Sequence, residues 1–178
     1  MSDFVEFPKI ARYSREVIVT EKIDGTNSQI MITDDGQFFT GSRNRWITPE
    51  NDNFGFSRWA NENKDKLMGL GVGRHFGEWW GSGIQRGYGL QKGEKRFSLF
   101  NTSRWGMDCP ECCSVVPILY QGVFDKCDIE EIMWKLKLNG SYASPGFMNP
   151  EGIVIFHTKA SIGFKKTFEK DDSGKWDI

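Results

Sequence analysis

The sequence predicts an α+β fold built mainly from antiparallel sheet. Three observations carry that expectation. Short runs of alternating apolar and polar residues recur along most of the chain, and turn signals such as Asp34-Asp35-Gly36 separate them. Only two stretches carry the 3.6-residue period of a helix, so strands dominate and hairpins join them. At 178 residues the chain suits one domain with a sizeable core, and residues 1–178 read as a single domain without internal repeat or linker.

Residues 1–15 form an irregular lead-in, and residues 16–22 alternate as a strand. Residues 28–33 and 37–42 make a hairpin around Asp-Gly, a strong turn signal between apolar runs. The chain then passes Gly41-Ser42-Arg43-Asn44-Arg45 into a loop at Thr48-Pro49. Phe56, Trp59, Ala60, Asn63 and Leu67 fall at helical spacing, which predicts a helix over 53–68 that Gly69, Gly71 and Gly73 end. Residues 75–80 form an aromatic strand closed by Gly81-Ser82-Gly83. Residues 82–95, rich in glycine and charge, read as an exposed loop. Residues 96–101 and 115–124 are two further strands. Asp128 is a candidate N-cap with Glu131 three residues on. Ile129, Ile132, Met133 and Leu136 then share one helix face, stopped at Asn139-Gly140. Residues 151–157 and 162–168 are the last strands, and residues 169–178 form a polar, loose tail.

The formal net charge is −1, which excludes a global basic field, so any nucleic-acid surface must be local. Lys92, Lys95 and Arg96 with Arg86 are candidates for such a strip, although an exposed solvated loop explains them equally well. No apolar run approaches membrane-spanning length, and the N-terminus lacks the basic and apolar regions of a signal peptide. A soluble cytoplasmic protein without membrane contact is therefore expected. Cys109-Pro110-Glu111-Cys112 has half the spacing of a zinc knuckle. A structural site needs four ligands, and the adjacent Cys112 and Cys113 serve one metal poorly, so buried or semi-exposed thiols are the better reading. His75 and His157 have no second ligand at metal spacing and read as strand residues.

The stretch that carries chemistry is Glu21-Lys22-Ile23-Asp24-Gly25-Thr26-Asn27, between the apolar runs Val17-Ile18-Val19 and Ile30-Met31-Ile32. In an extended segment alternate side chains share a face, which puts Lys22 and Asp24 on one side. Gly25 turns the backbone where a Cβ is strained. A lysine beside a carboxylate and a phosphate ester becomes a nucleophile once it loses its proton. A free lysine has a pKa near ~10.4 and is inert at neutral pH. Burial and a nearby cation favour the neutral amine. Four further stretches can share this site: Ser42-Arg43; Phe76-Gly77-Glu78-Trp79-Trp80-Gly81, where glycines bracket a carboxylate; Arg96-Phe97-Ser98-Leu99-Phe100-Asn101; and Glu151-Gly152-Ile153-Val154-Ile155 with Gly163-Phe164-Lys165-Lys166. Taken singly, Glu78 is a strand-edge charge, Glu151 a turn residue, Phe97 and Phe100 core, and the lysines a solvated face. Their occurrence together, in this order, is what changes the reading.

That order resembles the covalent nucleotidyltransferase superfamily of ATP-dependent polynucleotide ligases and capping enzymes, and specifically its RNA ligase 2-type branch. The resemblance runs from about Glu21 to Phe168, and Glu21 to Asn27 is its most specific piece. It implies a ligase adenylation fold, with mainly antiparallel sheets, flanking helices and a cleft between them. It implies that Lys22 attacks the α-phosphate of ATP and that Asp24 belongs to the same catalytic motif. Glu21 points to adenine, Asn27 helps sealing, and Arg43 contacts the nucleotide sugar or phosphate. Glu78 holds the ribose, Phe100 stacks on adenine, Glu151 helps place Mg²⁺ (or Mn²⁺), and Lys165 contacts the α-phosphate.

The implied partner is nucleic acid with 5′-phosphate and 3′-OH ends, RNA favoured. A minimal DNA nick ligase and an end-binding module without sealing activity stay open as alternatives. The chain departs from the family at Gly163, where a first lysine is usual, and at Asn101, where Asp is usual. Few residues follow Lys165, which leaves no room for an OB-fold or a helical C-terminal domain. A separate partner supplying a nucleic-acid clamp is the corresponding expectation.

Overall fold

Alternation along the first strand decides the layering. In β1 (Glu16–Lys22), Val17 and Val19 point one way while Ile18, Thr20 and Lys22 point the other. The computed structural model describes residues 3–106 and 108–169. The remaining strands are β2 (Thr26–Ile32), β3 (Phe38–Ser42), β4 (Trp46–Ile47), β5 (Gly73–Gly81), β6 (Lys95–Leu99), β7 (Ser114–Val115), β8 (Ile118–Val123), β9 (Gly152–His157) and β10 (Ile162–Thr167). They form a four-stranded sheet in the order β10-β9-β1-β8 and a six-stranded sheet in the order β4-β3-β2-β5-β6-β7. Pairing is antiparallel except for the short β6–β7 contact. This is the expected α+β architecture.

Each sheet covers one face with helix and turns the other toward a shared cleft. Behind the four-stranded sheet, α3 (Ile129–Asn139) packs Ile132, Met133 and Leu136 against Val17, Val19, Ile153 and Ile155. The Asp128 side chain accepts from the Glu131 N–H at 2.9 Å, the N-cap its spacing predicts, and Gly140 ends the helix at a φ of 77°. Behind the six-stranded sheet, α1 (Phe56–Glu62) and α2 (Lys64–Leu67) pack with Ile30, Trp79, Phe97 and Leu99. Rings dominate there: the Phe56 centroid lies 5.5 Å from Trp79 and 5.0 Å from Phe97. A third, small cluster of Ile23, Trp80, Tyr88 and Val116 joins the two halves.

Two expectations change. The helix over 53–68 begins only at Phe56 and divides at Asn63, whose φ of −106° leaves the helical range while its side-chain Nδ2 joins its own N–H on the Trp59 carbonyl, at 2.9 and 3.0 Å. Residues 82–95 are not simply an exposed loop, because Ile84 and Tyr88 are fully buried. Positive-φ glycines at 83, 87 and 89 fold this stretch back on itself, and Tyr88 itself takes a φ of 51°. The tail beyond Glu169, expected to be loose, lies outside the described residues. No helix among the described residues is long and apolar enough to cross a membrane.

Phe97 and Phe100, three positions apart, have opposite duties: Phe97 is fully buried and Phe100 is 41% exposed. Phe97→Ala is expected to lower unfolding free energy by about 3–5 kcal/mol. Phe100→Ala should leave it nearly unchanged, and guanidinium unfolding of the two variants checks the contrast.

Candidate active site

The sequence passes from one sheet to the other in three residues, 23–25, between Lys22 and Thr26. Ile23 is buried in the joining cluster. The Asp24 N–H donates to the Tyr88 hydroxyl at 2.8 Å, and the Gly25 N–H donates to Glu78 Oε1 at 3.1 Å. Gly25 is required by close approach rather than by a left-handed turn. A Cβ on it lies 2.4 Å from the Trp79 carbonyl oxygen and 2.8 Å from Trp80 Cβ.

Lys22 ends β1 opposite Gly152 at the start of β9, and this register brings it beside Glu151. Lys22 Nζ donates to Glu151 Oε2 at 2.7 Å, with both side chains part-buried. Lys22 therefore does have a carboxylate neighbour, but not the expected one. The strand ends at Lys22, so alternation no longer governs Asp24, whose Oδ2 instead accepts from Arg86 Nε at 3.0 Å.

A cavity of about 590 Å³ lies between the sheets, lined by β1 and β9 on one side and by β2, β5 and the segment 100–105 on the other. Lys22, Glu21, Asn27, Glu78 and Phe100 all line it. Glu78 Oε2 accepts from Asn27 Nδ2 at 3.0 Å. Burial pushes the Glu78 carboxyl up to about 7, against the pull of the Lys22 cation and the Gly25 N–H, with Glu151 and Asp24 adding to the rise. Glu21 is 1% exposed, and its Oε2 accepts from the N–H groups of Tyr142 and Ala143 at 2.8 and 2.9 Å. Burial raises its pKa, and the Ser141 side chain and those two N–H groups pull it back. Glu21 Oε1 is buried with no hydrogen-bond partner.

Residues 15–176 match the family model for RNA ligase. The chain belongs to the RNA ligase family. The fold is similar to that of Naegleria gruberi RNA ligase in several variants. One, with ATP and Mn, has a TM-score of 0.65 and 22% identity over 88% of this chain and 51% of that one. A second, with AMP and Mn, has a TM-score of 0.66 and 21% identity over 87% of this chain and 50% of the other. A third, with ATP and Mn, reaches a TM-score of 0.65 at 19% identity over 92% of this chain and 53% of its own. The chain thus spans about half the length of these structures. No curated protein matches it.

Not every residue this RNA ligase family member was expected to bring to the site meets the cavity. Arg43 is exposed in the turn between β3 and β4 and does not line it. Lys165 is exposed on β10, where it pairs with Val154, a cavity-lining residue, so it shares the cleft face. Gly163 shares that face two residues earlier, so the position where a first lysine is usual carries no side chain. Lys166 faces the other way and meets Glu130 of α3 at 3.4 Å. Of the candidate basic strip, Lys92 is exposed and the other three residues have internal partners. Arg86 holds Asp24, Lys95 Nζ donates to the Phe54 carbonyl at 2.7 Å, and Arg96 pairs with Glu94.

Sequence reading assigned no role at the site to Tyr88 or Arg104, and it placed Arg86 on a basic strip rather than against Asp24. Arg104 lines the cavity and donates to the Leu70 carbonyl at 2.8 Å. A tyrosine between two glycines, Gly87-Tyr88-Gly89, was the one available signal. His75 and His157 bond backbone rather than metal: His75 Nε2 lies 2.8 Å from the Gly71 carbonyl. His157 Nδ1 accepts from the Ala160 N–H, which leaves Nε2 to donate to the Tyr13 carbonyl. Cys109, Cys112 and Cys113 are free thiols packed against the larger core.

For a divalent cation the donor set fits in one way only. Among the described residues no group of three or more His, Cys, Asp or Glu is arranged to hold a metal. Glu151 supplies a hard carboxylate beside Lys22, which suits a cation that draws its other ligands from phosphate oxygens and water.

A carboxyl raised from 4.5 to about 7 binds its proton more tightly in the folded chain than in the unfolded one. Its contribution to stability is therefore lost as pH climbs between those values. Glu78→Gln should flatten that limb in denaturant midpoints measured across the interval, leaving the contribution of Glu21; an unchanged slope refutes the assignment.

Proposed function

We propose that the chain is an ATP-dependent RNA ligase that works through a covalent lysyl-AMP. The observation that carries this reading is the Lys22 amine in a cavity between two sheets, 2.7 Å from Glu151, with Glu78 and Phe100 lining the same cavity. Adenine stacks on Phe100 and gives its amino hydrogen to the unpartnered Oε1 of Glu21. The ribose hydroxyls meet Glu78, and the phosphates extend toward Lys22.

In the first step the Lys22 amine, its proton released to solvent as the phosphates and their cation enter, bonds through Nζ to the α-phosphorus. The bond from that phosphorus to the α–β bridging oxygen breaks, and pyrophosphate leaves. The Lys22–Glu151 ion pair must open for this to happen, because an ammonium has no lone pair to donate. A bound Mg²⁺ or Mn²⁺ near Glu151 supplies neutralisation of charge on the phosphate oxygens. Lys165 adds a cation from the cleft face. An oxygen of a 5′-phosphate end then attacks the lysyl-AMP phosphorus, the P–N bond breaks, and Lys22 is restored. A 3′-OH finally attacks the activated end and AMP departs, with Asn27 beside the reacting groups. RNA carrying 5′-phosphate and 3′-OH ends is the substrate of this proposal. Asp24 serves as a positioning residue, tying the motif to Arg86 and Tyr88.

Intact-mass spectrometry after incubation with ATP and Mg²⁺ tests the first step. The wild-type chain should gain one AMP and Lys22→Ala none; equal gain in both overturns the nucleophile. Glu151→Ala should abolish dependence on added Mg²⁺ together with adduct formation, and an unchanged Mg²⁺ titration removes its metal role. Phe100→Ala should raise the ATP requirement, a stacked base being worth ~1–3 kcal/mol. Gels of labelled RNA and DNA ends then separate an RNA ligase from a DNA nick ligase.

A further inference from the structure

Of the sequence-predicted basic strip, Arg86, Lys95 and Arg96 are engaged in internal contacts, and a second surface offers a grip on nucleic acid. The cleft face of the six-stranded sheet continues outward past the cavity. Register fixes which residues share it, since directly paired residues point to the same side. Trp46 pairs with Gly41, Gly41 with Gln29, and Gln29 with Phe76. The row then meets Phe100, whose N–H donates to the Phe76 carbonyl at 3.0 Å. One step along, Phe39 pairs with Met31 and Met31 with Arg74.

This surface is built rather than incidental. The Arg74 guanidinium lies 5.4 Å from the centre of the Trp46 ring, and the Phe39 ring lies 5.8 Å from it. Arg74 Nη1 donates to Gln29 Oε1 at 3.0 Å, and Gln29 Nε2 in turn donates to the Ser42 carbonyl at 3.3 Å. Gly41 keeps the row open: a Cβ there lies 2.8 Å from the Gln29 side chain. Trp46 remains 48% exposed and Phe76 51% exposed, so both offer a ring face to solvent. Arg43 is exposed in the turn between β3 and β4, and the residues that β2, β3 and β4 contribute to the two rows include no carboxylate.

We infer that this strip, from Trp46 and Phe39 through Arg74 to Phe76, is a stacking platform for unpaired RNA leading into the cavity. The inference deepens the ligase reading and rests on it for the identity of the end held at Lys22. Aromatic rings beside arginines fit a single strand, whose bases are free to stack and whose phosphates need neutralising. A duplex keeps its bases paired and offers the rings nothing to stack on. Continuity decides the occupant, because Arg74 and Phe76 line the cavity as well as the strip. Four strand-to-strand steps separate Trp46 from Phe100, ~19 Å at sheet spacing. A stacked strand crosses that in about six nucleotides.

The test uses Trp46→Ala, Phe39→Ala and the conservative Trp46→Phe, none of which touches the cavity. Fluorescence anisotropy is measured with a short unstructured 5′-phosphorylated RNA and with a blunt RNA duplex, alongside AMP adduct formation by intact mass. The alanine variants should form the adduct like wild type yet bind the single strand about 5- to 150-fold more weakly. Duplex binding should be unchanged, and Trp46→Phe should restore most of the loss. Wild-type single-strand affinity in the alanine variants overturns the platform, and so does equal weakening toward duplex. A shift in oligomeric state without loss of RNA binding also overturns it, in favour of a second copy on this face. Failure of the wild-type chain to form the adduct, with the RNA effects intact, removes the ligase reading and leaves the platform standing.

Discussion

Three residues beside Lys22 carry the chain from one sheet to the other, and the site depends on that link. Between Lys22 and Thr26 the chain crosses from the sheet backed by α3 to the sheet backed by α1 and α2. The crossing has no slack. Gly25 sits against the Trp79 carbonyl, both remaining N–H groups of polar consequence have partners, and Ile23 is locked among rings. Lys22 therefore takes its position from both halves at once. Its carboxylate neighbour comes from one sheet through the β1–β9 register, and the Glu78 wall comes from the other.

Charge in this molecule is arranged locally because there is almost no net charge to work with. A formal balance of −1 leaves no long-range field, so the sign at each point is set by immediate neighbours. Adjacent lysines illustrate this. Lys165 shares the cleft face with Val154, whereas Lys166 meets Glu130 on the helix side. Strand alternation alone separates them, and it decides which of the two faces the cleft.

Much of this was legible in the amino-acid order, because much of it is local. Alternation and Asp-Gly located the hairpin of β2 and β3, Asp128 announced its helix, and the order of short motifs brought Lys22, Asn27, Glu78, Phe100 and Glu151 to one region. What escaped was decided at long range. The partner of Asp24 lies 62 residues away, and no local pattern distinguishes Arg86 from the solvated charges around it. Tyr88 looked exposed because charge and glycine surround it, yet those glycines are what let the chain bury it. Arg43 was assigned by its place in the family's order of motifs, but it is exposed in a turn that does not line the cavity. The helix break at Asn63 turned on the backbone of one residue leaving the helical range, which a hydrophobic period does not register.

The joining cluster of Ile23, Trp80, Tyr88 and Val116 is small beside the two cores it separates. Most apolar burial lies within each half, so the spacing between the halves is governed by a few rings wedged at their root. The gap available to a ligand is thus tuned from behind. Trimming or enlarging a side chain in that wedge alters how far apart the opposing walls stand, while every group facing the gap keeps its chemistry.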